Sequence, residues 1–99
     1  MKATRPLKAK ARPQHVAALK ALAHPARLRA FLFVVQSGGD APAGSIQKAV
    51  GIPAPTLSRH LDVLRRAGLV RSRRNARFVF YTAERGPLRD LVGLLSACL

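Results

Sequence analysis

The sequence predicts a mainly α-helical domain with a small β-hairpin, on three observations. Leu57, Leu61 and Leu64 recur at helical spacing, with Pro55, Thr56, Ser58, Arg59 and Arg66 on or toward the opposite side, and Gly68 ends the run before Leu69-Val70. A shorter amphipathic run, Ser45 to Val50, precedes it across Gly51-Ile52-Pro53. Beyond it, Phe78-Val79-Phe80-Tyr81-Thr82 is aromatic and β-branched, as a strand is.

In chain order, residues 1–13 come first and hold Lys2, Arg5, Lys8, Lys10 and Arg12 among prolines without periodicity. That composition predicts a basic arm, disordered when free, which either lies on nucleic acid or stays solvated. Residues 14–99 form one domain. Its first helix runs from His15 to Ala23 with Val16, Leu19 and Ala23 at helical spacing. Pro25 opens a second, with Leu28, Phe31, Leu32 and Val35 on one face, until Gln36-Ser37-Gly38-Gly39-Asp40 breaks it. The Ser45–Val50 helix places Ile46, Ala49 and Val50 together. Gly51 suits the left-handed residue that ends it, Ile52 plugs the angle, and Pro53 and Pro55 suit the first turn of the next helix, where no amide donor is lost. Together these elements read as a helix-turn-helix.

Leu69 to Arg74 and Arg77 to Thr82 then form a hairpin about Asn75-Ala76, with Val70, Val79 and Tyr81 on one face and Arg71, Arg73, Phe78 and Phe80 on the other. That turn sets Arg74 opposite Arg77, a like-charge pair that suits a wing lying along a phosphate backbone; the alternative is an edge kept soluble by arginine. Pro87 opens a last helix, with Leu88, Leu91, Val92, Leu95 and Leu99 on a broad apolar stripe widened by Leu94 and Cys98. So apolar a terminal helix calls for a partner subunit, the alternative being a core helix that caps a monomer. The whole is a winged helix-turn-helix of about five helices plus a two-stranded wing.

Composition bounds the function. Ninety-nine residues make one small domain, able to bury about two-thirds of its unfolded surface or a little less. Lysine and arginine number 18 against 4 acidic residues, a net charge of +14 and a pI near 11.9, which implies a polyanionic partner or an anionic membrane surface. No apolar run is long enough to span a membrane and no signal peptide is legible, so the chain is expected in the cytoplasm, without a membrane partner. The single cysteine, Cys98, permits no internal disulfide and fits a reducing compartment. No nucleophile–base pair, acidic dyad, phosphate loop or metal cluster is present, so neither an enzyme nor a cofactor is expected.

Leu22-Ala23-His24-Pro25-Ala26-Arg27-Leu28-Arg29, then Thr56 through Val70, then Arg77-Phe78-Val79-Phe80-Tyr81 resemble, in that order, the ArsR/SmtB-type winged-helix repressors; the resemblance covers about residues 15 to 99. It implies a homodimer joined through the first and last helices, with Val16, Leu19, Leu88, Leu91, Val92, Leu95 and Leu99 at the interface. It also implies binding to an imperfect inverted repeat, and repression until a metal ion, metalloid or other signal lowers DNA affinity. The sequence departs from the family where sensing would occur. Ala43-Gly44-Ser45-Ile46 carries no thiol pair, and the last helix offers only Asp90 and Cys98. His24 reads as a cap before Pro25, and His60 flanks the packed face at the edge of the reading surface. No metal site is expected. The inducer is left unassigned, and Cys98 is either an inert packing residue or a redox or metalloid sensor across the dimer.

On this reading Thr56, Ser58 and Arg59 enter the major groove with His60 beside them, Arg59 reaching guanine bidentately. Gln47 and Lys48 hold the flanking backbone, and Arg71, Arg73, Arg74 and Arg77 set the wing on phosphates or a minor groove. Two rival classes stand beside it: a non-specific architectural DNA-binding protein, favoured by the net charge, and an RNA-binding module, disfavoured by aromatics placed to pack rather than to stack bases.

Overall fold

The computed structural model describes residues 10–99. The basic arm read over residues 1–13 thus lies mostly outside the described residues, and its last member, Pro13, already belongs to a helix. The elements run α1 (Pro13–Leu22), α2 (Pro25–Ser37), β1 (Ala41–Pro42), α3 (Ala43–Val50), α4 (Ala54–Arg66), β2 (Val70–Asn75), β3 (Phe78–Ala83) and α5 (Gly86–Ser96).

Local chemistry explains where the helices begin and end. Pro13, Pro25, Pro55 and Pro87 sit in first turns, where a missing amide hydrogen costs nothing. His24 caps α2 as the sequence predicts, its Nδ1 accepting from the Ala26 amide at 3.2 Å. His15, the buried polar residue of α1, accepts from the Arg12 amide at 2.9 Å. Gly51 at φ 76° ends α3 and Gly68 at φ 76° follows α4, both in the left-handed region that a side chain disfavours.

The core gathers one side of every helix. Leu57, Leu61 and Leu64 of α4, Ile46 and Val50 of α3, Phe31 and Val34 of α2, and Leu91 of α5 are buried with Leu69 and Val70. Where helices approach closely, small residues meet: Ala18 and Ala21 of α1, Ala26 and Ala30 of α2. This corrects two expected faces. On α2 the packed side is Ala26, Ala30, Phe31 and Val34, so that Leu28 and Leu32 turn outward, and on α3 Ala49 is exposed.

The wing differs in two respects. It belongs to a three-stranded antiparallel sheet of order β1-β3-β2, because Ala41 and Pro42 pair with Tyr81 and Phe80. Its turn lies one residue later than expected, at Ala76-Arg77, with Asn75 paired to Phe78 and Ala76 at φ 57°. Arg74 therefore faces Val79 and not Arg77, and the like-charge pair is not formed. Moving the turn by one residue advances both strands together, so side-chain parity survives: Val70, Val79 and Tyr81 still share a face, and Arg71, Arg73, Phe78 and Phe80 the other.

Candidate nucleic-acid interface

The turn between α3 and α4 is what aims α4. Gly51 reverses the chain, Ile52 packs against the core, and Pro53 in extended conformation leads into Ala54. No side chain caps α4; Pro53 and Pro55 in the first positions leave few amide donors needing a cap. With the three leucines anchored, Thr56, Ser58 and Arg59 are all exposed in the first two turns, together with Pro55. Lys48 on α3 is exposed and Gln47 half-buried. Gln47 and Ser58 line opposite sides of a cleft of about 220 Å³ between α3, α4 and β3, floored by Leu57, Leu61 and Tyr81. Burial raises the Tyr81 hydroxyl above the usual tyrosine range, so it remains a neutral hydrogen-bonding group.

His60 departs from the reading surface. Its ring turns back toward α2, with a centroid 4.4 Å from that of His24 and Nδ1 3.3 Å from an Arg27 guanidinium nitrogen. It is a packing residue of α4 and not one of its outward groups.

The wing arginines are all exposed, yet they are not equivalent. Arg71 lies 3.3 Å from Glu84, and Arg73 pairs with Asp40 while its guanidinium sits 4.8 Å above the Phe80 ring. Asp40 also accepts from the Thr82 hydroxyl. That bond first, and Arg73 second, hold its carboxyl below the usual carboxylate range. On α4, Asp62 pairs with Arg65 and Arg66 at 2.6 and 2.7 Å and is lowered chiefly by the Arg65 hydrogen bond. Arg59, Arg74 and Arg77 make no ion pair among the described residues, although Arg77 stacks 5.3 Å from the Phe78 ring. The chain's few carboxylates thus hold Arg65, Arg66, Arg71 and Arg73 in place, while Arg59, Arg74 and Arg77 are directly available to an anion. Exposed pairs of this kind exchange readily with a competing phosphate.

Sequence reasoning did not single out Asp40, Glu84 or Arg27. The scarcity of acidic residues was the available signal, since a carboxylate in so basic a chain has many arginines to draw on: Asp40, Asp62 and Glu84 each hold at least one, and Asp90 makes no ion pair among the described residues.

The residues expected at a subunit interface divide. Leu91 is buried in the chain's own core and Leu88 packs partly against it, so neither presents its side chain fully outward. Val16 and Leu19 on α1 and Val92, Leu95 and Leu99 at α5 or just beyond it are 44, 44, 53, 50 and 107 % exposed. Since α1 packs on α5, the two helices jointly present apolar surface. Cys98 is exposed past the end of α5, its Sγ 3.7 Å from the Leu94 carbonyl oxygen. Among the described residues no cluster of three metal-ligating side chains occurs, and no helix is long and apolar enough to cross a membrane.

Comparison with known proteins places this geometry. A family described as a helix-turn-helix domain matches residues 22–73, from the end of α1 into the wing. The biofilm growth-associated repressor of Xylella fastidiosa is 39 % identical over 77 residues, spanning 78 % of this chain but only 66 % of its own length. The solved structure of the transcriptional repressor BigR from Xylella fastidiosa aligns with a TM-score of 0.66 at 35 % identity, covering 82 % of each chain. An ArsR family transcriptional regulator shares the fold more closely, with a TM-score of 0.78 over 89 % of each chain, at 23 % identity. The aimed α4, the wing behind it and the homologous span agree: the chain belongs to this helix-turn-helix domain family, and its fold is that of the ArsR-type winged-helix regulators.

Proposed function

We propose that the chain is a sequence-specific repressor that binds duplex DNA as a homodimer, reading an inverted-repeat operator with one α4 per half-site. The observation that carries this reading is the exposure of Thr56, Ser58 and Arg59 on a helix whose other side is locked into the core by Leu57, Leu61 and Leu64. A helix so mounted presents its first turns to a major groove, and Arg59, without an intramolecular ion pair among the described residues, is the base-reading candidate. Lys48, Arg74 and Arg77 supply backbone contacts, with Arg71 and Arg73 joining as phosphate displaces their carboxylates. The apolar surface on α1 and α5 supplies the two-fold contact, through Val16, Leu19, Val92, Leu95 and Leu99. The two-fold sets half-sites about one helical turn, roughly 34–36 Å, apart. The named relatives are repressors, which supports the same role for this chain. The basic segment over residues 1–13 serves as an arm on the flanking phosphates, and regulation of transcription places the chain in the cytoplasm.

The test is selection of genomic fragments by the full chain at moderate salt, followed by titration of the enriched duplex against random duplex. A preference of about a thousandfold or more identifies an operator, and near-equal affinity identifies an architectural protein instead. If a dimer neutralises roughly six to ten phosphates, affinity falls by about a thousandfold to a hundred-thousandfold between about 50 and about 200 mM salt. A salt-insensitive complex would exclude the mechanism.

A further inference from the structure

The side of α4 that faces away from solvent meets a three-helix junction built on one guanidinium. Arg27, in the first turn of α2, donates from Nε to the Ala21 carbonyl at 2.7 Å and from Nη2 to the Lys20 carbonyl at 3.3 Å, both in the last turn of α1. Its remaining nitrogen, Nη1, lies 3.3 Å from His60 Nδ1 on α4. His24, the α2 cap, accepts from the Ala26 amide through its own Nδ1 and stands 4.4 Å from His60, ring centre to ring centre.

Donor and acceptor bookkeeping assigns a role to each Nδ1. A guanidinium and a backbone amide have hydrogens to give and no lone pair to receive one. In these contacts His60 Nδ1 and His24 Nδ1 therefore both serve as acceptors. Adding a proton to His60 Nδ1 turns an acceptor into a donor aimed at a donor, and sets a cation against Arg27.

We propose that His60, held neutral between Arg27 and His24, is a positioning residue that registers the recognition helix against the α1–α2 corner, and that its protonation releases the helix and weakens DNA binding. The proposal rests on the DNA-binding reading of α4. The groups acting on His60 are those of the start of α2, the His24 ring and the Arg27 guanidinium; α1 contributes the Ala21 and Lys20 carbonyls, through Arg27. On α4 itself, Arg59 is exposed and Asp62 is taken up by Arg65 and Arg66. Burial first, then His24 and Arg27, lower the His60 pKa below the ordinary histidine value. A depressed histidine pKa means that the fold favours the neutral ring. Its contribution is full above the unfolded value of about 6.5 and is lost as pH falls through the lower folded value.

The sign of the effect makes it testable. For a chain of net charge +14, simple electrostatics has every added proton tightening the hold on phosphate. The junction acts the other way. Operator affinity measured at fixed ionic strength should fall by about tenfold or more between about pH 7.5 and about pH 5.5. The His60→Asn variant places an amide oxygen where Nδ1 stood, and His24→Asn keeps a good helix cap, so neither needs a neutral imidazole. The double variant should bind near wild-type strength at the higher pH and lose no affinity at the lower. His15 remains in that variant, so a loss that persists in it arises outside the junction and overturns the proposal, as does wild-type affinity that stays level or rises in acid. Amide NMR shifts of DNA-free chain keep the two readings apart. Signals from the start of α2 and from α4 should move together with the His60 titration in the wild type and stay still in the double variant; absence of that co-titration refutes the junction even if DNA binds, and its presence without DNA binding refutes only the function.

Discussion

Two surfaces of this domain are unfinished in opposite ways. Around Thr56, Ser58, Arg59 and the wing, what is exposed is charge and hydroxyl, content in water. Along α1 and α5 it is Val16, Leu19, Val92, Leu95 and Leu99, which are not. Each square ångström of apolar surface removed from water contributes about 25 cal/mol, whereas an arginine moved from water to a phosphate gains mainly by releasing counterions. The apolar surface therefore has a standing drive to be covered, and the charged one waits for a ligand. A subunit contact should persist through cycles of DNA binding and release, and only the charged side should respond to salt.

The largest test of that contrast is Leu95→Lys, which sets a cation in the exposed apolar stripe of α5. Dimers should dissociate in sedimentation velocity, and operator affinity should fall by about a hundredfold or more, since a half-site alone forfeits half the contacts. A monodisperse wild-type monomer at micromolar concentration, binding its operator with full affinity, would break the comparison outright. Less severe is the split within the charged side. Arg59→Ala should cost about 1–3 kcal/mol on the operator and much less on random duplex, while Arg77→Ala should weaken both alike and lower the salt slope by about one. Equal losses from the two would show that α4 does not read bases. The smallest effect sharpens the contrast by altering the wing without altering its charge. Ala76 holds φ 57° in the hairpin turn, and Ala76→Gly should stabilise the fold by about 0.5–1 kcal/mol, raising the melting temperature by a few degrees with about unchanged DNA affinity.

Periodicity and punctuation made much of the fold legible. Leucines at spacings of four and three located the packed side of α4, Pro25, Pro55 and Pro87 located helix starts while Pro13 was assigned to the arm, and Gly51 and Gly68 marked the reversals around α4. What stayed hidden depends on partners distant in the chain. The Ala41-Pro42 strand is too short for alternation to register, and exists only because β3 lies alongside. The packed side of α2 was misjudged toward large residues, because close helix approach selects alanine and a list of apolar positions favours leucine. Thr56, Ser58 and Arg59 were readable because one helix displays them. The turning of His60 toward Arg27, and the pairing of Arg73 with Asp40, needed the tertiary arrangement.

The pairing of Ala41 with Tyr81 carries a consequence for how the chain acquires its shape. Strands β2 and β3 meet through a two-residue turn and can zip within microseconds. Strand β1 must wait for a partner that lies beyond α3, α4 and β2, and closing so long a loop is entropically slow. During synthesis the whole helix-turn-helix leaves the ribosome before the strand that completes its sheet. A nascent chain stopped before β3 leaves β1 an open edge and lacks Leu91 of the core, so assembly of the domain finishes with β3 and α5.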